Sequence, residues 1–221
     1  MNSFNDFFRS SIGKKILMAS TGILLCFFLV THLIGNLMLF GGADVFNSYV
    51  MKLSMMKPII RCAEVILTII FLIHIINGFR LTRENKSASP NNYESSTNET
   101  SSFFSRNMGL SGSIVLIFLI VHLSTFWRIF QKTHGNDMDY YSIVTASSVG
   151  FSNPIITIIY ILGISFLGFH LKHGFQSAFR TFGITNVKYK FFIDMIALLF
   201  WFFIPASFIS IAIYFGIIKC L

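Results

Sequence analysis

Two apolar stretches carry a histidine at the same distance from a small hydroxyl residue and a glycine. They read TGILLCFFLVTH (Thr21–His32) and SGSIVLIFLIVH (Ser111–His122), and in each the histidine lies ten residues after the glycine. An imidazole in such surroundings can bind a metal, carry a proton or hydrogen-bond a neighbouring helix. The repeated spacing predicts that both histidines have the same role.

A second repeat places two more histidines. The stretches Pro58–Phe79 and Pro154–Phe175 each begin with Pro-Ile-Ile, and in each a histidine lies sixteen residues after the proline. Glycine and phenylalanine follow the histidine at the fourth and fifth positions, which identifies the pair as His74 and His170. Two matched motifs in the same order predict one helix pair used twice, in parallel, about an axis along the membrane normal.

The elements that must position these histidines are five long apolar segments. The chain is 54% hydrophobic and 12% charged, with a mean hydropathy of +0.69, and about 20 apolar residues span a bilayer core. We therefore predict an all-α integral membrane protein, one domain over residues 1–221. Its transmembrane helices cover about 16–40, 58–79, 108–130, 154–175 and 192–218, and the first four form a bundle. The polar connection 81–107 is predicted to be a loop.

The distribution of lysine and arginine predicts the orientation. With the N-terminus inside, the inner connections hold eleven of these residues (Arg9, Lys14, Lys15, Arg80, Arg83, Lys86, Arg106, Lys172, Arg180, Lys188 and Lys190). The outer connections hold six (Lys52, Lys57, Arg61, Arg128, Lys132 and Lys219). We therefore expect the N-terminus and the loop 81–107 inside. The net charge of +8 would meet anionic lipid or a docked partner there, and nothing else indicates nucleic-acid binding.

The rise of an α-helix places the four histidines at two depths. His32 lies seventeen residues after Lys15, and His122 lies sixteen after Arg106, so both are about 24–25 Å from the inner boundary at 1.5 Å per residue. His74 and His170 lie about 24 Å from the prolines at the outer boundary. The outer level therefore takes one histidine from each of two helices, and so does the inner level.

Paired imidazoles in an apolar bundle indicate a b-type haem. Ionisable groups in membranes are costly and tend to be functional, although a lone histidine can serve only to hydrogen-bond a neighbouring helix. A haem b uses two neutral imidazoles, one on each face of its iron. We predict two haems b. Cys26, Cys62 and Cys220 are widely spaced and lack a C-x-x-C motif, which excludes a cysteine-ligated iron–sulfur cluster and a covalently attached haem within this chain.

Three further residues are candidates for supporting roles. His173 lies on the same helix face as His170, and the proline spacing favours His170 as the ligand. His173 would then contact a propionate or a residue around the haem, or it would be the alternative ligand. Arg80 and Arg128 each lie six residues after a predicted ligand. They are candidate propionate partners, and anchoring at the membrane boundary is an equally good explanation for both.

These motifs resemble the cytochrome b membrane anchor of succinate:quinone oxidoreductases, the five-helix, two-haem class of succinate dehydrogenases and fumarate reductases. The resemblance covers essentially the whole chain through T-G-x9-H, H-x3-G-F-R, S-G-x9-H and F-H-x3-G in order. It implies that His32 and His122 bind the haem distal from the cytoplasm and that His74 and His170 bind the proximal one. Some members carry a glutamate two residues before the fourth ligand, where this chain has Gly168, which places a proton route through that position in doubt.

The resemblance also implies the setting in which the chain acts. It implies a multi-pass protein of the bacterial cytoplasmic membrane, with a flavoprotein that carries FAD and an iron–sulfur protein docked on the cytoplasmic side. The chain would carry electrons between the iron–sulfur subunit and membrane quinone, menaquinone or ubiquinone. It would not bind succinate, so its own catalytic part would be a quinone site whose residues the sequence does not select.

Two other functions fit parts of the pattern. The cytochrome b subunit of a membrane hydrogenase or formate dehydrogenase also binds haem through histidine pairs, but should lack this in-order repeat. A proton-coupled transporter could use intramembrane histidines, but it would usually need carboxylates as well, and Glu64 and Asp194 are the only ones near the helices. An optical spectrum separates the haem proteins from the transporter.

Overall fold

The computed structural model describes residues 6–7, 10–88, 107–132, 139–184 and 186–220. This part of the chain is helical and contains no strand. Five helices are long and apolar enough to cross a membrane, as predicted. We number them as the first to fifth spans: Ser11–Gly41, Lys57–Ser87, Met108–Lys132, Pro154–Thr181 and Val187–Gly216.

Several spans contain more than one type of helix. The first is an α-helix over Ser11–Leu37 followed by a 3-10 turn over Met38–Gly41, and the second is an α-helix that runs over Lys57–Ala88. The third span has α-helices over Met108–His122 and Arg128–Lys132, joined by a π-helical turn at Leu123–Trp127. The fourth is one α-helix over Pro154–Thr181. The fifth has α-helices over Val187–Leu198 and Ile204–Gly216, joined by a π-helical turn at Leu199–Phe203. Shorter helices occupy Ala43–Met55, Tyr140–Thr145 and Ile218–Cys220.

Polar caps set where three of the spans begin. The Ser10 side chain accepts a hydrogen bond from the Gly13 amide, and the Asn186 side chain accepts one from the Lys188 amide. Asn153 caps the fourth span in the same way, and Pro154 follows it at the first helical position, where the missing amide proton costs nothing. These caps satisfy amide groups that the helix itself leaves without partners.

The polar connection differs from the predicted loop 81–107. Residues Leu81–Ala88 continue the second span as helix, and the remainder of the predicted loop, 89–106, lies outside the described residues. An ion pair between Lys14 and Glu84 joins this extension to the start of the first span. A helix that leaves the membrane need not end there, because water can solvate its polar side chains.

The spans run up and down, so the bundle has two ends. We call the end that holds Ser11, Ala88, Met108, Thr181 and Val187 the N-terminal end, and the opposite one the far end. The fourth span is central, because it packs against the first, third and fifth spans. The second span packs along the first and makes little contact with the third. This leaves space between the two helix pairs.

An unpredicted helix, Ala43–Met55, covers the far end. Its Phe46 is buried in the core that also contains Tyr140 and Phe215. The Asn47 side chain donates to the Asp139 carboxylate at 2.9 Å and accepts from the Tyr141 amide at 2.9 Å. The bond from Asn47, together with that from the Ser142 amide, lowers the pKa of Asp139 below its ordinary value. This helix is therefore fixed to the connection that precedes the fourth span.

Two glycines of the fourth span permit its close contacts. A Cβ at Gly163 would lie 2.4 Å from the Phe118 ring, and a Cβ at Gly168 would lie 2.9 Å from the Trp201 carbonyl oxygen. Gly168 is the position at which some proteins of the resembled class carry a glutamate. Here the backbone of the fifth span occupies the space that such a side chain would need, so a carboxylate could not be accommodated without moving that span.

Candidate functional site

The four histidines form two imidazole pairs, one at each level of the bundle. The ring centroids of His32 and His122 lie 5.7 Å apart, with their planes at 87°. Those of His74 and His170 lie 6.3 Å apart, with their planes at 71°. Each pair joins a residue from the first helix pair to one from the second. These are the partners that the depth argument selected from the sequence.

His74 is oriented by a threonine from the first span. The Thr21 hydroxyl donates to the Leu17 carbonyl at 2.8 Å, and its oxygen lies 3.0 Å from Nδ1 of His74. When the hydroxyl proton is on the backbone carbonyl, the oxygen can accept from Nδ1–H. The lone pair of His74 is then on Nε2, the atom that can bind a metal.

His170 has the equivalent partner from the third span. The Ser111 hydroxyl donates to the Met108 carbonyl at 3.0 Å, and its oxygen lies 3.4 Å from Nδ1 of His170. The adjacent glycines bring the helices together, since a Cβ at Gly112 would lie 3.3 Å from Cε1 of His170, and one at Gly22 would lie 3.5 Å from Cε1 of His74. The hydroxyl–glycine dipeptide of the sequence repeat therefore supports the histidine of the neighbouring span.

His122 is oriented by a hydrogen-bonded relay. Nδ1 of His122 lies 3.1 Å from the Tyr160 hydroxyl, which lies 2.9 Å from the Thr125 hydroxyl. Thr125 in turn donates to the Val121 carbonyl at 2.8 Å. When the Thr125 proton is on the backbone, Tyr160 can donate to Thr125 and accept from Nδ1–H of His122. This histidine therefore also presents a free lone pair at Nε2.

His32 is held mainly by aromatic rings. Phe28 stacks on its ring at a centroid distance of 5.1 Å, and Phe208 of the fifth span lies at 5.6 Å. The Asn36 amide donates to the His32 carbonyl at 2.8 Å, and its nitrogen lies 3.5 Å from Nε2. Which ring nitrogen carries the proton is therefore less strongly determined for His32 than for the other three histidines.

The helix pairs match in a further contact that extends the repeat. A Cβ at Gly78 would lie 3.5 Å from the Met18 methyl group, and one at Gly174 would lie 3.2 Å from the Met108 methyl group. Each methionine lies three residues before the hydroxyl residue of its span. The first and second spans thus contact each other as the third and fourth do. The sequence repeat is also a repeat of contacts.

A single cavity connects the two imidazole pairs. Its volume is about 2170 Å³, and all four histidines line it. Ordinary small-molecule pockets measure about 300–1,000 Å³, so this cavity has room for more than one large ligand. Its wall is mostly aliphatic and aromatic side chains from the first four spans, with Phe208 and Ile211 of the fifth and with Phe46 and Tyr49 of the helix Ala43–Met55.

The N-terminal end of the cavity is basic. Lys15, Lys86, His173 and Arg180 line it there. Arg80 and Arg128, the arginines singled out in the sequence, are exposed and lie outside the lining. Arg80 and Arg128 each follow their histidine by six residues, which at 100° per residue turns the side chain by roughly 240° around the helix. Arg180 follows His170 by ten residues, which leaves their side chains only about 80° apart. The arginine nearest to the cavity is therefore one that the sequence analysis did not select.

These residues fit a bis-imidazole haem. Among the described residues, no group of three or more histidine, cysteine, aspartate or glutamate side chains could hold a metal ion. A metal bound between two imidazoles would therefore need a further ligand that brings its own donor atoms. A haem meets that need, because its macrocycle completes the coordination and its apolar edges suit the cavity wall. No protein-family model, curated protein or solved structure matches the chain.

The hydroxyl partners are candidate site residues whose contacts the sequence did not predict. The repeat drew attention to Thr21 and Ser111, but the sequence did not reveal that each would contact a histidine on the next span. Tyr160 belongs to no repeated motif that would have drawn attention to it. It lies ten residues before His170 on the fourth span, and only the packing of that span against the third places its hydroxyl beside His122.

Proposed function

We propose that this chain is a two-haem cytochrome b that carries electrons through a membrane. His74 and His170 would bind one haem near the N-terminal end, and His32 and His122 would bind the other near the far end. The observation that carries the proposal is the pairing of four intramembrane imidazoles at two levels of one apolar cavity. When bound, a haem iron accepts and releases one electron at a time.

The side chains of this protein have three tasks in that function. The hydroxyls of Thr21, Ser111 and Tyr160 would hold three imidazoles with the proton on Nδ1, which would raise the basicity of Nε2 as a ligand. The apolar wall excludes water from the irons, and burial and hydrogen bonding are two means by which proteins set haem potentials. The cations at the N-terminal end of the cavity would attract the carboxylate of a haem propionate.

The resemblance to succinate:quinone oxidoreductases supports a specific place for this electron path. We propose that the N-terminal end faces the cytoplasm of a bacterium and receives a flavoprotein and an iron–sulfur protein. Electrons would then pass between those subunits and membrane quinone through the two haems. The excess of lysine and arginine in the connections at that end supports this orientation.

The transporter alternative would depend on two carboxylates. Glu64 lines the histidine cavity, and its carboxylate is already engaged there, since it accepts from Arg61 at 2.6 Å and from Trp127 at 3.2 Å. Asp194 accepts from Gln176 at 3.1 Å and lies apart from the histidine cavity. The hydrogenase and formate dehydrogenase alternatives share the haems, so the partner protein distinguishes them from the proposed function.

The first experiment is an optical spectrum and haem assay of the purified chain. We expect reduced b-type bands and two haems per chain. Replacing His74 or His170 with alanine should remove one haem, and replacing His32 or His122 should remove the other. His173→Asn should keep both haems, because Asn77 occupies the equivalent position in the second span. A chain that holds no haem would disprove the proposal.

A second experiment identifies the partner. Purification through a tag on this chain, in a mild detergent, should recover a flavoprotein and an iron–sulfur protein with succinate:quinone or quinol:fumarate activity. Recovery of a hydrogenase or a formate dehydrogenase would keep the cytochrome and reject the resembled class.

A further inference from the structure

The second and third spans contact each other at two levels of the bundle. At the far end, the Trp127 indole donates to the Glu64 carboxylate at 3.2 Å. At the N-terminal end, a Cβ at Gly109 would lie 2.9 Å from the Thr82 methyl group. The two contacts are 18 residues apart on each span, from Glu64 to Thr82 and from Gly109 to Trp127. This separation is about five helical turns, or about 27 Å, so both contacts lie along the same edge of each helix.

The residues between these two contacts line the histidine cavity. Phe71 and Ile75 on the second span, like Leu116 and Ile120 on the third, lie seven and eleven residues after the first contact residue of their span. These offsets are close to two and three helical turns, so the four side chains lie on the edges that face each other. All four line the cavity. The cavity therefore reaches the gap between the two spans. We call this gap, bounded by the two contacts, the side window.

The side window opens the cavity toward the membrane. Leu72 and Ile120 both line the cavity, and they are 53% and 60% exposed. The other walls are closed by packing, since the second span packs along the first and the fourth packs against the first and third. The helix Ala43–Met55 covers the far end. A ligand in the lipid phase would therefore reach the imidazoles most directly between the second and third spans.

The two ends of the side window are held by different forces. At the far end the Glu64 carboxylate also accepts from Arg61 at 2.6 Å and from Gln131 at 3.3 Å, and Arg61 donates to the side-chain carbonyl of Gln131. At the N-terminal end the Thr82 hydroxyl donates to its own helix at 2.8 Å, and the closest group to Gly109 is a methyl. Hydrogen bonds to charged groups are strong, whereas a single van der Waals contact is weak. The spans can therefore separate at the N-terminal end while the far end stays joined.

Cations lie beside the end that can separate. Lys86 follows Thr82 by four residues, which places it one turn further on the same helix face, and it lines the cavity. Arg180 lines the same end from the fourth span. An apolar window with cations at one end suits a ligand with an apolar body and an acidic edge. A haem has both, in its macrocycle and its propionates.

We propose that the second and third spans form a lateral gate that admits haem to the cavity from the lipid phase. This rests on the proposed function, because the ligand is the haem proposed for the imidazole pairs. The gate opens at the Thr82–Gly109 contact and pivots on the hydrogen bonds to Glu64. Lys86 and Arg180 attract the propionate carboxylates to the N-terminal end, so that the apolar edge is the one that enters the bundle.

A disulfide across the gate tests the proposal. The Thr82 Cβ lies 3.8 Å from a Cβ at Gly109, within the range of about 3.5–4.5 Å that disulfides adopt. The double variant Thr82→Cys/Gly109→Cys, in a parent chain with Cys62→Ser and Cys220→Ser, is purified with haem and oxidised. Haem transfer to apomyoglobin is then followed by absorbance. We expect the disulfide to slow transfer roughly tenfold or more, because opening must then break the charged hydrogen bonds at the far end. After reduction, the same protein should transfer haem at least as fast as the parent.

Gly109→Ala tests the gate without a crosslink. The added Cβ would lie 2.9 Å from the Thr82 methyl group and press the spans apart where the gate opens. Haem transfer should therefore be roughly threefold faster or more. Gly78→Ala is the matched control, because Gly78 also lines the cavity but its Cβ would make an ordinary contact of 3.5 Å with Met18 on the first span. It should leave the transfer rate unchanged.

Failure of the gate and failure of the cytochrome give different results. Equal transfer from the oxidised and reduced double variant, or an unchanged rate in Gly109→Ala, would reject the gate and keep the cytochrome. If the chain binds no haem, alkylation of Cys26 by N-cyclohexylmaleimide in lipid vesicles reports the gate, since this thiol is buried and lines the cavity. Alkylation that the disulfide slows relative to the parent would then keep the gate and reject the cytochrome, and equal alkylation would reject both.

Discussion

The Thr21 hydroxyl oxygen lies 3.0 Å from Nδ1 of His74, although 53 residues separate them in the chain. The same relation recurs between Ser111 and His170 at 3.4 Å. In both, a hydroxyl that donates to its own helix backbone accepts a hydrogen bond from the imidazole of the next helix. The residue before the glycine in each repeat is thus a means of fixing an imidazole tautomer.

The first prediction concerns Thr21→Val, which keeps the shape of the side chain and removes the hydroxyl. Loss of the hydrogen bond to Nδ1–H makes the imidazole a weaker donor to iron and favours the reduced haem. We expect the potential of the haem proposed at His74 to rise by about 20–60 mV, from a hydrogen bond of about 0.5–1.5 kcal/mol. Redox titration of the b-type bands measures this shift.

Ser207→Ala is the control, because Ser207 on the fifth span does not line the histidine cavity and its hydroxyl donates to the Phe203 carbonyl in the same helical manner. It should leave both potentials unchanged. An equal shift in the two variants would mean that hydroxyl loss acts through the helix rather than through the imidazole.

The second prediction concerns Tyr160→Phe at the far level. The change removes the acceptor for Nδ1–H of His122 and the donor to Thr125, and it keeps the ring contact with Phe118 at 5.1 Å. We expect the potential of the far haem to rise while that of the N-terminal haem stays constant. In the double variant with Thr21→Val, each haem should show only the shift of its own single variant. A variant that moves both potentials together would contradict the assignment of one hydroxyl partner to each level.

The depths of the histidines were predictable, and their contacts were not. The rise of a helix fixes depth from spacing alone, so His32 could be matched with His122, and His74 with His170, before any packing was known. The partner of each imidazole depends on how neighbouring helices are rotated, which one sequence does not encode in its spacing. Tyr160 reaches His122 because Gly163 lets the fourth span approach Phe118 closely, a contact between residues distant in the chain.

The helix ends illustrate a second limit of the sequence. Hydropathy locates the apolar core of the second span, but the polar residues after Phe79 remain helical to Ala88. Composition alone cannot distinguish a solvated helical turn from a loop. The helix Ala43–Met55 was missed for a similar reason, because its mixed polar and apolar residues lack the long apolar run that identifies a span.

The third prediction compares two arginines. Arg180 lines the N-terminal end of the cavity, whereas Arg80 is exposed and outside it. A nearby positive charge stabilises the reduced haem, which carries one positive charge fewer. Arg180→Gln should therefore lower the potential of the N-terminal haem by the order of tens of millivolts, and Arg80→Gln should change it less. A larger effect from Arg80→Gln would support Arg80, one of the two candidates from the sequence, as the propionate partner.

The fourth prediction concerns Gly163→Ala. The added Cβ would lie 2.4 Å from Phe118 Cδ2 and Cγ and 2.9 Å from its Cβ, so the whole ring must move rather than one flexible end. Phe118 packs against both Tyr160 and His122, and its displacement should disturb the far imidazole pair. We expect a loss of about 1–3 kcal/mol in stability, as for other overpacked sites, with selective loss of the far haem on heating.

Gly78→Ala is the control, because its Cβ would make an ordinary contact of 3.5 Å with the Met18 methyl group. Thermal denaturation followed by the b-type bands distinguishes the two: if Gly163→Ala retains both haems to the wild-type temperature, the close approach at Gly163 does not position His122.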